Sequence, residues 1–320
     1  MTATLAVILT LTAIAWAADL PREVGLLLYN EQFLCGMLAL ALPLVYLVHQ
    51  KSRFDWVLAG AGFCAAGYMA ARYPVLAELI AMNPLDGLIA GLVVLALVLE
   101  GLRRTAGMVL TGLIVAFLLL AMLGHLIPGT LAGRDLAWRD LAYYLAWDPS
   151  GMLGTPMVVV TTIVTAYVFF GQVLIKSGGS AFFTQISMAA VGRFRGGQAK
   201  IAITASGLFG SISGSAVSNV VTTGVITIPL MRSGGYRAID AGAIEAVAST
   251  GGQLMPPIMG AAAFLMADFL QIAYAEVVLA ALIPALLYYA ALFIISDLEA
   301  AKRGIKRIPE LDIPRALPVL

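Results

Sequence analysis

From Thr105 to Gly133 the chain runs twenty-nine residues without an Asp, Glu, Lys or Arg, and Met108 to Leu123 within it read MVLTGLIVAFLLLAML. Such a segment is stable away from water, and about 20 apolar residues in a helix cross the ~30 Å hydrocarbon core of a bilayer. Comparable runs lie near residues 3–18, 33–49, 54–71, 87–101, 106–124, 157–175 and 275–296, separated by short polar turns. They predict membrane-spanning helices, several short enough to require tilt or local thinning of the bilayer. The composition agrees: 61% of residues are hydrophobic and 12% charged, against roughly a quarter charged in soluble domains. A soluble globular chain is excluded, and a net charge of +1 gives no sign of a nucleic-acid partner. Cys35 and Cys64 sit inside apolar runs as small hydrophobes, without the spacing of a disulfide framework.

The first run ends in Ala15-Trp16-Ala17, which resembles a signal-peptide cleavage site. It lacks the basic leading region of such peptides, so residues 1–18 are read as a retained first helix. Between His125 and Pro156 the chain turns polar and aromatic, and Trp138, Tyr143, Tyr144 and Trp147 suit a helix lying at the membrane interface. A boundary near residue 150 divides a helical region, 1–150, from a second region, 151–320. In the second, residues 181–197 read as an amphipathic surface segment ending in basic residues.

Arg and Lys set the orientation. With residue 1 cytoplasmic, and with residues 198–231 returning to the side they entered from, only Arg22, Arg72, Arg134 and Arg139 of the nineteen basic residues fall outside. That is the bias of the positive-inside rule, and it favours a re-entrant hairpin over a spanning helix at 198–231.

The tip of that hairpin is the chain's most polar uncharged stretch, Ser211-Ile-Ser-Gly-Ser-Ala-Val-Ser-Asn219. Its arms are about a dozen residues, or roughly 18 Å of helix, too short to cross alone. Non-helical backbone at membrane depth survives only where protein or a wet cavity surrounds it. The hydroxyls of Ser211, Ser213, Ser215 and Ser218, the Asn219 amide and the carbonyls near Gly214 are hard neutral oxygens suited to a small alkali cation. A second break, Ala248-Ser-Thr-Gly-Gly-Gln-Leu-Met-Pro-Pro257, interrupts the apolar segment 238–271. Pro256 and Pro257 cannot donate backbone hydrogen bonds, which predicts free carbonyls around Gly252 and Gln253. Two half-helices meeting at an unwound middle form the midplane site of secondary transporters. Glu245 is the one acid near this site: it is either a functional intramembrane group or a partner of Arg232 or Arg237 near the inner surface.

At these residues the chain resembles a known family. GRFRGGQAKIAITASGLFGSISGSAVSNVVTTGVITIPLMRSGGY, GAIEAVASTGGQLMPPIMGAAAFLMADFL and ALIPALLYYAALFI, with DPSGMLGTP and GQVLIKSGGSAFF in order upstream, are similar to the large permease of TRAP transporters. They resemble in particular the TAXI subclass, in which small and large membrane subunits are fused (4TM/12TM type). The resemblance implies an all-α, polytopic inner-membrane permease with a re-entrant hairpin and a broken helix, one half of an inverted-repeat, elevator-type transporter. It implies sodium-coupled import of organic solutes, with carboxylates as the typical class, delivered by an extracytoplasmic substrate-binding protein. It places sodium between Ser213, Gly214, Ser215 and Asn219 on the hairpin and Ser249, Thr250, Gly251, Gly252 and Gln253 on the broken helix. It implies no organic cofactor and no transition metal. Only one hairpin and one broken helix occur before Leu320, with the tail KRGIKRIPELDIPRALPVL reading as an inner linker. The second repeat is therefore expected on another chain or beyond this sequence.

Two other classes compete. An intramembrane serine hydrolase needs a base beside its serine, but His49 and His125 lie at upstream helix ends and SISG carries Ser211 where a rhomboid-like GxSG needs glycine. A non-transporting membrane scaffold is the other. No G-x-x-x-x-G-K-[ST] phosphate loop occurs, which fits a gradient as energy source.

Overall fold

Backbone amides in lipid find no water, so apolar runs must satisfy them internally as helix. The runs are helical in the computed structural model, which describes residues 1–50, 52–79, 82–126, 133, 136–305 and 307–308. Two compact units emerge, Met1–Ala166 and Tyr167–Leu320.

The first unit contains α1 (Thr2–Ala17), a single turn α2 (Leu20–Glu23), α3 (Asn30–Val48), α4 (Phe54–Leu76), α5 (Leu85–Thr105), α6 (Met108–Leu123), α7 (Trp138–Trp147) and α8 (Thr155–Val159). Helices α3 to α6 and the helical stretch Thr155–Lys176 are long and apolar enough to span. The 16-residue α1 is only about 24 Å long at 1.5 Å per residue, short of the hydrocarbon thickness. Around α3, the helices α1, α4 and α5 pack into one core with Leu34, Tyr46, Met69 and Val94 at its centre. Asp55, 2% exposed, holds the Arg104 guanidinium at 2.7 Å, joining α4 to the end of α5. By contrast α6 buries none of its residues within the chain.

The aromatic helix α7 corrects one expectation. Trp138 and Tyr144 are exposed, as an interfacial helix requires, but Tyr143 and Trp147 are 1% and 0% exposed. They face α5, where the indole Nε1 donates to Gly87 O at 3.0 Å and the two rings stack at 5.8 Å. The bulk of two large rings is worth more buried in protein than at the headgroups. Trp147→Phe removes the donor and leaves a small void. The expected cost is about 1–3 kcal/mol, read as a lower midpoint of thermal unfolding in nanodiscs. Residues 127–132 and 134–135 of the same stretch, and the tail from 309, lie outside the described residues.

From α8 the helix continues through a wider turn at Val160–Val164 into α9 (Thr165–Lys176), most of which belongs to the second unit, and that unit goes on with α10 (Gly179–Val191), α11 (Gly197–Ser213), α12 (Ala216–Ser233), α13 (Ala238–Gly251), α14 (Ala261–Leu270) and α15 (Tyr274–Lys302). Helices α11, α12 and α13 pack mutually, with α10 and α15 against α11. At one end Lys200 of α11 holds Asp297 of α15 at 2.6 Å, and Arg303 holds Asp240 of α13 at 2.9 Å.

Candidate functional site

The hairpin and the interrupted helix are both present as local structure. Helices α11 and α12 pack against each other across a two-residue turn, Gly214 and Ser215. Gly214 takes φ of +61°, a conformation costly for a residue with a Cβ, and a Cβ there would run into the Met259 carbonyl oxygen. Ser215 starts α12 as its N-cap, its hydroxyl accepting from Ser218 N at 3.3 Å. The break is narrower than the sequence suggested. Ser211 and Ser213 are the end of α11, with the Ser211 hydroxyl donating to Leu208 O at 2.8 Å, and Ser218 and Asn219 are already helical in α12. Local capping bonds satisfy the backbone more cheaply than a long unwound tip would.

The second break spans residues 252–260, between α13 and α14. The free carbonyls expected there are a correction: Gly252 O accepts from Met255 N at 3.3 Å and Gln253 O from Gly260 N at 2.9 Å. Turns close on themselves wherever an N–H remains, leaving each carbonyl one lone pair for another partner. Tyr288 and Tyr289 of α15 donate to Val247 O and Ala248 O at 2.8 and 2.9 Å, fastening the last turn of α13.

The two breaks meet backbone to backbone. A Cβ built on Gly210 would stand 2.7 Å from Gly252 Cα, and Ile258 N donates to Ser211 O at 3.1 Å. Gly251 lies against the Tyr288 ring. Of the nine predicted donors, Ser213, Gly214, Asn219, Ser249, Gly251 and Gly252 are thereby gathered around the crossing of α11, α12 and the break, and Ser215 sits in the turn beside Gly214 with its hydroxyl engaged in capping α12. Thr250 and the side chain of Gln253 are not: Thr250 is exposed and donates to Ala246 O at 2.8 Å, and Gln253 is exposed beside Leu254, Met259 and Met266 in an apolar cleft of about 340 Å³. The Ser213 hydroxyl is buried with no hydrogen-bond partner among the described residues. An orphaned buried hydroxyl calls for an explanation, because leaving it unpaired costs about 1–3 kcal/mol.

Glu245 lies at 0% exposure in α13 and takes neither arginine. Arg237 instead pairs with Asp240 at 2.8 Å. The Glu245 carboxyl meets hydroxyls from three helices. Oε1 accepts from Ser206 at 2.8 Å, Thr223 at 2.6 Å and Ser249 at 3.1 Å, and Oε2 from Thr227 at 2.6 Å. Asn219, also fully buried, donates to Ser206 O at 2.7 Å, and its Oδ1 lies 3.1 Å from Thr223 Oγ1. Sequence reasoning passed over Ser206, Thr223 and Thr227. The four-residue spacing of Asn219, Thr223 and Thr227 puts them on one face of α12, as it does Glu245 and Ser249 on α13. That spacing is a legible signal.

Comparisons with known proteins bear on the family of the chain. The sialic acid TRAP transporter permease protein SiaT of Haemophilus influenzae is 29% identical over 144 residues, covering 45% of this chain and 23% of that protein. The uncharacterized protein YgiK of Salmonella typhimurium is 34% identical over 91 residues, 28% of this chain and 21% of its own length. The chain thus spans under a quarter of the curated relatives it matches. Residues 93–320 match the family described as tripartite ATP-independent periplasmic transporter, DctM component. The match begins inside α5 and takes in all of α11 to α15. With more than two thirds of its length inside that match, this multi-pass membrane chain belongs to the DctM family of TRAP transporter permeases, a family of transport components and not of enzymes.

Proposed function

We propose that the chain is a permease component of a sodium-coupled secondary transporter that imports organic solutes, with carboxylates as the substrate class. The observation that carries this reading is the buried, unpartnered Ser213 hydroxyl at a helical turn packed on an interrupted helix. A buried hydroxyl left without a partner is a hard-oxygen donor of the kind a small cation needs. Sodium is taken to lie among Ser213, Gly214, Ser215, Asn219, Ser249, Thr250, Gly251, Gly252 and Gln253, with the first four on the hairpin side. Sialic acid, named for SiaT, is itself a carboxylate and supports the substrate class.

In this reading the hairpin is re-entrant, the chain is of the TAXI type with a small-subunit-like region over 1–150, and residues 151–320 are the first of two inverted repeats. The hairpin runs from about 198 to 231 and the broken helix from about 238 to 271. The second repeat completes the solute site, an extracytoplasmic binding protein delivers the solute, and the transport region moves as an elevator in a prokaryotic inner membrane with residue 1 cytoplasmic.

The test is uptake of labelled carboxylates into proteoliposomes carrying the chain together with the second repeat, with the binding protein outside. Asn219→Ala is expected to raise the sodium concentration for half-maximal uptake by tenfold or more. Ser213→Ala is expected to weaken sodium dependence while leaving sodium-free stability unchanged or higher, since it removes an orphaned hydroxyl. Uptake indifferent to the sodium gradient would sink the proposal.

A further inference from the structure

The tip donors are all neutral, yet a cation held there leaves water for a low-dielectric interior, where an isolated charge is costly. Among the described residues no Lys or Arg forms an ion pair with Glu245, so nothing basic neutralises its carboxylate. Each of its four hydroxyl partners is fully buried, or 0% exposed, with it. The steps from Oε1 to Thr223 Oγ1 and on to Asn219 Oδ1 are 2.6 and 3.1 Å, which places Asn219 Oδ1 within about 5.7 Å of the carboxylate. A cation bonded to Asn219 at roughly 2.4 Å, the scale of hard-cation ligation, lies within about 8 Å of Oε1.

We propose that Glu245 is the fixed counter-charge of the tip site: held by Ser206, Thr223, Thr227 and Ser249, it raises the affinity of that site for a monovalent cation without ligating it. This rests on the reading of the tip as a cation site. At about 8 Å and an effective dielectric of about 20, the attraction corresponds to roughly ten- to thirtyfold in affinity. Thr223 ties the two together. Its single proton goes either to Oε1 or to the Asn219 oxygens, so a cation claiming Asn219 Oδ1 turns that proton wholly to Glu245 and strengthens the carboxylate's hold.

A purely structural pin predicts something different, and the network itself supplies the variants that separate the two. In Glu245→Gln the amide nitrogen takes the place of Oε2 and donates to Thr227 Oγ1, whose proton swings to Thr223 O, 2.9 Å away. The hydrogen bonds survive and only the charge is lost. Thr227→Val does the reverse, keeping the charge and removing one bond.

The experiment titrates the full chain in lipid nanodiscs with sodium chloride, holding ionic strength with choline chloride, and reads sodium-dependent thermal stabilisation. Glu245→Gln is expected to weaken sodium binding ten- to thirtyfold, and Thr227→Val to lower the sodium-free unfolding midpoint with sodium binding unchanged within about twofold. Glu245→Asp, which keeps the charge, is expected to stay within about threefold and serves if the glutamine variant fails to fold. Wild-type affinity in Glu245→Gln, equal losses in Glu245→Gln and Thr227→Val, or a tenfold loss in Glu245→Asp overturns the counter-charge. If Asn219→Ala and Ser213→Ala leave sodium binding untouched, the tip reading falls and this inference with it. If they weaken it while Glu245→Gln does not, only the counter-charge falls.

Discussion

Gly210→Ala is expected to lower transport by more than tenfold and the unfolding midpoint by several degrees. The new Cβ would stand 2.7 Å from Gly252 Cα and 2.7 Å from Asn219 Nδ2. One of these neighbours is backbone and cannot rotate away. The other is fixed by its own bond to Ser206 O. Relief therefore requires the interrupted segment to move off α11, which breaks the bond from Ile258 N to Ser211 O. Overpacking of this kind costs typically 1–3 kcal/mol, and more where backbone must shift. Gly242→Ala is the control, because nothing lies within 4 Å of its Cβ position in α13. It is expected to be neutral or to stabilise by up to ~1 kcal/mol through helix propensity. Thermal unfolding and uptake of the two variants side by side give the comparison, and equal behaviour would contradict the close crossing.

Glu245→Leu is the second large effect, expected to destabilise by about 2–4 kcal/mol. Leucine fills much of the space, but four hydroxyls lose their acceptor. Thr223 and Thr227 can turn to Asn219 O and Thr223 O, both 2.9 Å away, and Ser206 can turn to Thr223 Oγ1 at 3.1 Å. Ser249 makes no other hydrogen bond among the described residues. The cost should therefore concentrate on Ser249, and Glu245→Leu with Ser249→Ala should recover about 1 kcal/mol relative to Glu245→Leu alone, since removing both partners is nearly neutral. A double-mutant cycle on the unfolding free energy reads this directly. Strict additivity of the two substitutions would show that the pair does not interact.

Hydropathy alone fixes the spans, because a bilayer accepts backbone only as closed helix and each span must carry enough apolar residues to cross it. Gly214 and the pair Gly251 and Gly252 mark where α11 and α13 stop, since local chemistry ends a helix whatever surrounds it. Both breaks were legible for that reason, as was Glu245 as an unusual acid. What local chemistry cannot supply is a partner from a distant helix. Ser206, Thr223 and Thr227 stand 39, 22 and 18 residues from Glu245, and only the packing of α11, α12 and α13 makes four ordinary hydroxyls into one carboxylate's shell. The same holds for Tyr143 and Trp147, interfacial by composition and buried by their fit to α5. The carbonyls at Gly252 and Gln253 are a local matter instead: the downstream prolines do not leave them vacant, because Met255 N and Gly260 N close turns on them. Sequence by itself determined where the chain is helical, where it breaks and which solvent it needs, all consequences of neighbours a few residues apart. Tertiary structure decided which polar groups face one another, because that depends on how helices far apart in sequence pack together.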